Sequence, residues 1–591
     1  MQNNRQMPWT PLQTLLVLLM PGIGVACFAL LLGMPRALMY RFVWAIAYAA
    51  LVLGTRHFLL ETDRRFQLGY GIAGGLFALT QALGFRLQHS GGTGWVGLAL
   101  CLGVGIGLAP ALGFGFGRVA DRLARVRPSE HTLRPRVRFW LAFCIILLGW
   151  LPVFLAYYPG LFAYDVATQI GEIISGKLTN RNPLLHTLFL GGFYQLGGLL
   201  GSHTLGIALS VLCQMALMAA IFAYMLNYLA GANGNRAAWW VSLVWLALFP
   251  THAMLAISCT KDTLFSGLML LYAVRLHALT RNPALLARRR WFAATLGLIA
   301  LLCLMRNNAF FGILLCLPLG MFALPRTAWR RLAALVGGGL LLYLGVSAGL
   351  KTVLAADGVN QTELVSLPSQ QMARVYALHQ DTLPASVEIA YYLPTVQDYT
   401  PHSADAVKTF ANVRRPGRLW GFAKLWGKLG LQFPMEYLDA FLLNTQGYWW
   451  LDDTSHAAIY GQGLATRQGY LLSDTKPGFN VMHQSLLPPL ETLYEQLFSA
   501  NDYQRLPVIS LLFAPALYLW LTFFALVRAW HARQRGRLLL GTFLLCYFLP
   551  FLFGACALIR YVYPLICCMP LLLWLPEVRA ASPAPAAGSP G

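Results

Sequence analysis

Residues 139–169 read FWLAFCIILLGWLPVFLAYYPGLFAYDVATQ, and their order decides the class of protein. The run 139–156 carries no charged residue and is of bilayer-crossing length. Two tyrosines and Pro-Gly follow, and then Asp165. The chain thus leaves an apolar phase through a sharp turn and presents an acid at the water–lipid boundary. From Asp165 the pattern DVATQIGEIISG predicts a short surface helix with Asp165, Gln169 and Glu172 on one face. A carboxylate at a helix N-terminus is favoured by the helix dipole, so Asp165 reads either as a cap or as a catalytic or metal-binding acid.

Similar apolar runs recur along all 591 residues, of which 57% are hydrophobic and only 11% charged. A soluble domain carries about twice that charged fraction. The composition therefore specifies an all-α, polytopic membrane protein. The net charge of +22 does not point to nucleic acid. Its arginines sit in short loops, at 56–65, 117–138, 275–290, 325–331 and 528–537, as cytoplasmic loops do. Placing these loops inside predicts about fourteen spans: 12–33, 38–54, 68–85, 94–116, 139–157, 204–229, 238–257, 263–280, 291–305, 309–324, 333–350, 506–528, 538–554 and 561–575. Both termini then lie in the cytoplasm. The apolar stretch 182–200 is kept outside as a surface helix, because counting it as a span would export Arg236, Arg281 and Arg288 to Arg290. The eleven cysteines fall in or beside apolar segments with no CxxC pair, which argues against disulfides and structural zinc. GVGIG (103–107) lies inside a span and reads as packing glycine.

This topology sorts the 22 acids by side. Fourteen fall in the hydrophilic stretch 351–504, and Glu61, Asp63, Asp121, Glu130 and Glu577 lie inside. Only Asp165, Glu172 and Asp262 remain, all at the outer mouth of the helical body. An ionisable group at membrane depth is costly, which marks these three as functional candidates. Asp262 follows Lys261 in SCTKDTLFS, where capping the next helix is the competing role. His186, in NRNPLLHT, is either a structural histidine or part of the site wall. Arg306 and Arg560 stand at outer helix ends, against the positive-inside bias. They are expected to pair with Asp165 or Asp262, to grip a lipid phosphate, or to snorkel to the headgroups. External acids, a Lys-Asp pair and inward arginines suit group transfer from a lipid phosphate, the carboxylate acting as base or holding a divalent cation. No nucleotide-binding glycine motif, GxSxG or HExxH occurs in a suitable setting.

The ordered motifs YPGLFAYDVATQ, NPLLHT, TKDTLF and RYVYP resemble those of bacterial GT-C membrane glycosyltransferases, within a poorly characterised branch. SLPSQQMARVYALH (366–379) and NTQGYWW (444–450) are similar to that branch's external motifs. The resemblance covers about 139–575. It implies a polyprenyl-phosphate-sugar donor, a glycan or lipid acceptor, and a site on the periplasmic side of the bacterial inner membrane. By the same resemblance Asp165, His186 and Asp262 are catalytic. Arg560 matches the family's terminal Arg-Tyr signature; Gln169, Glu172, Lys261, Arg306 and Tyr561, which stand beside these residues, are expected to bind substrate with it, and a divalent cation, Mg or Mn, if used, sits on Asp165 and Asp262. Many GT-C enzymes pair a second acid with the first aspartate, whereas Tyr164 and Val166 flank it here. Metal-independent inverting transfer is therefore equally compatible. An O-antigen ligase or polymerase would share the late external loop but lack the early Pro-Gly-Asp motif. A transporter or flippase would carry polar residues along its spans.

The domains expected are 1–138, N-terminal helices and a cytoplasmic loop; 139–350, the transmembrane core with an external loop at 158–203; and 351–504, a mostly helical external domain. The last helices occupy 505–576, and a low-complexity tail 577–591 follows. Within the external domain, ADAVKTFANVRRPGRLWGFAKLWGKLGLQF (404–433) reads as an interfacial amphipathic stretch. NTQGYWWLDDTSH (444–456) reads as an aromatic belt or as a surface that stacks on sugars.

Overall fold

The computed structural model describes residues 10–33, 38–124, 133–162, 165–233, 235–358, 361–413, 416–453, 478–498, 506 and 508–575. The tail 577–591, Tyr164 and the middle of the arginine loop at 125–132 lie outside the described residues. The described chain contains helices and isolated bridges but no strands. Among the described residues, nine helices are long and apolar enough to cross a membrane, ten if one bent pair counts as a single span. The protein is a multi-pass α-helical membrane protein.

Helices α1 (Pro11–Leu32), α2 (Leu38–Glu61), α3 (Arg64–Ser90) and α4 (Gly94–Ala124) pack together as an N-terminal group. The packing role of GVGIG is visible here, since a Cβ on Gly107 would lie 2.3 Å from the backbone nitrogen of Gly24. The central body comprises α5 (Pro135–Ala156), α6 (Val166–Ser175), α7 (Leu184–Leu199), α8 (His203–Asn233), α9 (Arg236–Leu248), α10 (Pro250–Ile257), α11 (Lys261–Arg281), α12 (Arg289–Met305), α13 (Ala309–Ala323) and α14 (Trp329–Val353). The predicted span 238–257 is broken by 51° between α9 and α10, where Pro250 cannot continue the hydrogen-bond ladder. α7 is not among the helices that qualify as spans; it lies against α8.

The hydrophilic segment folds as α15 (Ser366–His379), α16 (Ser386–Tyr392), α17 (Asp405–Lys408), α18 (Pro416–Gln432) and α19 (Pro434–Thr445). It has its own core, including Met372, Val375, Ile389, Leu393 and Val407. Phe422, Leu425 and Leu429 of α18 belong to that core, while Trp420, Lys424, Trp426 and Leu431 face outward. The chain then returns through α20 (Pro488–Phe498), α21 (Ile509–Phe513), α22 (Pro515–His531), α23 (Arg535–Phe548) and α24 (Ile559–Trp574). α24 packs on α11 and α22 in the centre of the body.

Candidate functional site

The exit turn positions the first acid. α5 ends at Tyr157, whose N–H donates to Val153, and Gly160 adopts φ +144°. A side chain there would be strained, and its Cβ would lie 2.5 Å from Val211. Past this turn, Leu161 forms a parallel bridge to Ser258: its N–H donates to Ile257 O at 3.0 Å, and its carbonyl accepts from Cys259 N–H at 2.9 Å. Gln214 Nε2 braces the second segment by donating to the carbonyls of Ala256 and Ser258. This bridge joins the chain shortly before Asp165 to the chain shortly before Lys261.

Asp165 occupies the N-cap position of α6, but its side chain makes no capping hydrogen bond. It accepts instead from Lys261 Nζ at 2.9 Å and from Arg560 Nη1 at 3.5 Å. The cap alternative is thereby excluded for the carboxylate. Asp262 lies in the first turn of α11, its N–H directed at Thr260 Oγ1. Its carboxylate pairs with Arg306 and lies 3.6 Å from Arg560 Nη1. Arg306 is packed by the rings of Phe551 and Tyr561, with centroids 4.9 and 4.8 Å from its guanidinium carbon. The Tyr561 hydroxyl accepts from Arg560 Nη2 at 3.1 Å.

Lys261, Arg306 and Arg560 thus surround Asp165 and Asp262, three cations against two carboxylates. α6, α11 and α24 all start at this cluster, and helix N-termini add positive potential. The Asp262 side chain is 1% exposed, whereas that of Asp165 is 32% exposed. Burial would raise the Asp165 carboxyl, but Lys261 and then Arg560 outweigh it and hold the group well below the usual carboxylate range.

A second layer holds the acid's surroundings. Gln169 Nε2 donates to Thr187 Oγ1 at 2.8 Å, and the Thr187 hydroxyl points its proton at Pro183 O. Gln169 Oε1 therefore accepts from His186 Nδ1, 3.2 Å away, which places the imidazole proton on Nδ1 and leaves the lone pair on Nε2. Burial, and after it Lys261, lowers the His186 pKa to about 3, so the ring is neutral. Glu172 accepts from Thr179 Oγ1 at 2.5 Å. Gln169 and Glu172, expected to bind substrate, are both buried; Gln169 bonds to Thr187 and His186, and one Glu172 carboxylate oxygen accepts from Thr179 while the other has no partner among the described residues.

The residues do not compose a divalent-cation cage. Both expected ligands, Asp165 and Asp262, already face cations, and no group of three or more His, Cys, Asp or Glu suited to a metal occurs among the described residues.

Two contributors escaped the sequence reading. Asn182 Oδ1 accepts from Lys261 Nζ at 2.7 Å; it opens the NPLLHT motif, in which His186 alone carries an expected role. The other is the hydrophilic domain's grip on the segment preceding Arg560. Asn444 Nδ2 donates to Gly554 O at 2.9 Å, Ala404 N–H to Ala555 O at 2.8 Å, and the Tyr448 hydroxyl to Cys556 O at 3.2 Å. The Leu558 N–H donates in turn to Tyr448. Tyr448 and Trp450 are buried, which corrects both the belt and the sugar-stacking readings of NTQGYWW: Trp450 packs against Gly84 of α3, and Tyr448 holds the approach to Arg560.

Fold and site together define a polytopic membrane protein with a cation-rich cluster where its helical body meets its hydrophilic domain. The chain belongs to DUF6020, a family of unknown function, which matches it over residues 174–584. That span includes Lys261, Asp262, Arg306 and Arg560, while Asp165 precedes it. No curated protein and no solved structure matches the chain.

Proposed function

We propose that this protein is a glycosyltransferase that moves a sugar from a polyprenyl-phosphate donor to a cell-envelope glycan or lipid acceptor. In this reading about fourteen helices cross the bacterial inner membrane, both termini are cytoplasmic, and the cluster and the 351–504 domain face the periplasm. The observation that carries it is the convergence of Lys261, Arg306 and Arg560 on Asp165 and Asp262, one positive charge in excess. Such a site suits an oxyanion, and Arg560 has the planar donor fork that grips phosphate.

The chemistry follows from the competition for these cations. A donor phosphate engages Lys261 and Arg560 and loosens their hold on the Asp165 carboxylate, which regains basicity. The acceptor hydroxyl oxygen bonds to the anomeric carbon as the bond from that carbon to the phosphate oxygen breaks. The hydroxyl proton passes to Asp165 and then to solvent, and the polyprenyl phosphate leaves with the electron pair. Asp262, buried and paired with Arg306, holds the cations in place. Neutral His186 keeps the wall beside Asp165 uncharged.

The test is transfer from a polyprenyl-phosphate sugar in membranes containing the wild-type protein or its Asp165→Asn variant. Loss of at least about a hundredfold in rate is expected for removal of a general base. Unchanged transfer would remove Asp165 from that role.

A further inference from the structure

We propose that Asn182 contacts the ligand of this site directly, its side-chain amide donating to a phosphate oxygen of a lipid-borne phosphate ester. The inference rests on the preceding reading of the cluster as a phosphate site. Asn182 is 1% exposed and belongs to the loop between α6 and α7. Its Oδ1 receives Lys261 Nζ, the same ammonium that holds Asp165. An ammonium only donates, so the amide oxygen must face Lys261 and the orientation of the amide is not ambiguous. The Nδ2 on the other side is buried and has no partner among the described residues.

A buried amide donor without a partner is costly and uncommon. Here it lies one amide width from the atom bound to Lys261, so an oxyanion seated on the ammonium is within its reach. The cluster's surplus of cations selects an anion over a neutral hydroxyl. That the phosphate is lipid-borne follows from the preceding reading of the site, and inorganic phosphate is the competing source.

The experiment measures binding of a long-chain polyprenyl phosphate to the purified full-length protein in nanodiscs, with inorganic phosphate as a parallel probe. Four proteins are compared: wild type, Asn182→Ala, Lys261→Met and the double variant. Direct contact predicts that Asn182→Ala weakens lipid-phosphate binding about tenfold, as for a hydrogen bond to a charged group, in both the wild-type and the Lys261→Met backgrounds. An Asn182 that acts only by steadying Lys261 would leave the double variant equal to Lys261→Met, and that result overturns the proposal. Inorganic phosphate binding as tightly as the lipid overturns the lipid-borne source. Failure of the wild-type protein to bind polyprenyl phosphate overturns the parent reading, a result distinct from unequal behaviour of the variants. Should Asn182→Ala fail to fold, Asn182→Ser replaces it, keeping an oxygen for Lys261 without the amide.

Discussion

Replacing Asp262 with asparagine tests the cluster without reference to any reaction. The aspartate side chain is 1% exposed and its partner Arg306 11% exposed, so the substitution leaves a guanidinium buried without its countercharge. Removing one partner of a buried pair costs about 3–5 kcal/mol. The lower end applies here, about 3 kcal/mol, because Arg306 keeps the rings of Phe551 and Tyr561 and Arg560 keeps Asp165. Changing both residues, Asp262→Asn with Arg306→Met, removes the uncompensated charge. Apolar replacement of buried pairs is often neutral, so the double variant is expected within about 1 kcal/mol of wild type. The coupling is then at least about 2 kcal/mol. At about 2.1 cal/mol/K per residue, unfolding of the 591-residue chain carries about 1.2 kcal/mol/K. The single variant should therefore melt about 2–3 °C below wild type, and the double variant within about 1 °C, by tryptophan fluorescence in one detergent. A single variant indistinguishable from wild type, or a double variant showing the sum of both losses, would refute the pairing.

Three further outcomes follow from the geometry. Gly160→Ala places a side chain at φ +144° and against Val211; a loss of about 1–3 kcal/mol is expected, read as a lower melting temperature, and no loss would contradict the turn. Tyr448→Phe leaves the Cys556 carbonyl and the Leu558 N–H without their hydroxyl partner; about 1–3 kcal/mol should be lost, together with polyprenyl-phosphate affinity as Arg560 loosens, and a variant that melts and binds like wild type would show the grip to be idle. The His186 pKa is lowered from 6.5 to about 3 on folding, so the unfolded chain binds the extra proton and stability falls as pH drops below 6.5. His186→Gln should erase about 2 kcal/mol of the loss between pH 6.5 and 5, measured as the difference in melting temperature. An unaltered pH profile would be inconsistent with a neutral buried ring; Asp165, whose folded pKa lies below its ordinary 3.8, stays charged throughout that window and adds nothing to it.

Much of the site was legible because membranes make charge expensive. Sorting acids by side left Asp165, Glu172 and Asp262, and two arginines against the positive-inside bias pointed to the same mouth. The expectation that Arg306 and Arg560 pair with those acids agrees with the ion pairs found. Glu172 was indistinguishable from Asp165 by that sorting, yet it bonds to Thr179 within its own loop. α18 showed an amphipathic pattern, but periodicity states only that one face is apolar, not whether lipid or protein covers it. NTQGYWW misled for the same reason, since aromatic composition does not distinguish an interface from a core.

The sequence by itself determined the membrane class, the helices and the short roster of charged residues at one mouth, because hydropathy and the cost of buried charge act locally along the chain. Only the tertiary structure decided which charge meets which. Asp165 finds Lys261 across 96 positions and Arg560 across 395, through the Leu161–Ser258 bridge and the hydrophilic domain's hold on 554–558. Asn182 entered the site the same way, as an uncharged side chain whose importance exists only through the lysine it faces. Contacts of that range depend on the packing of many helices at once, and no local pattern encodes them.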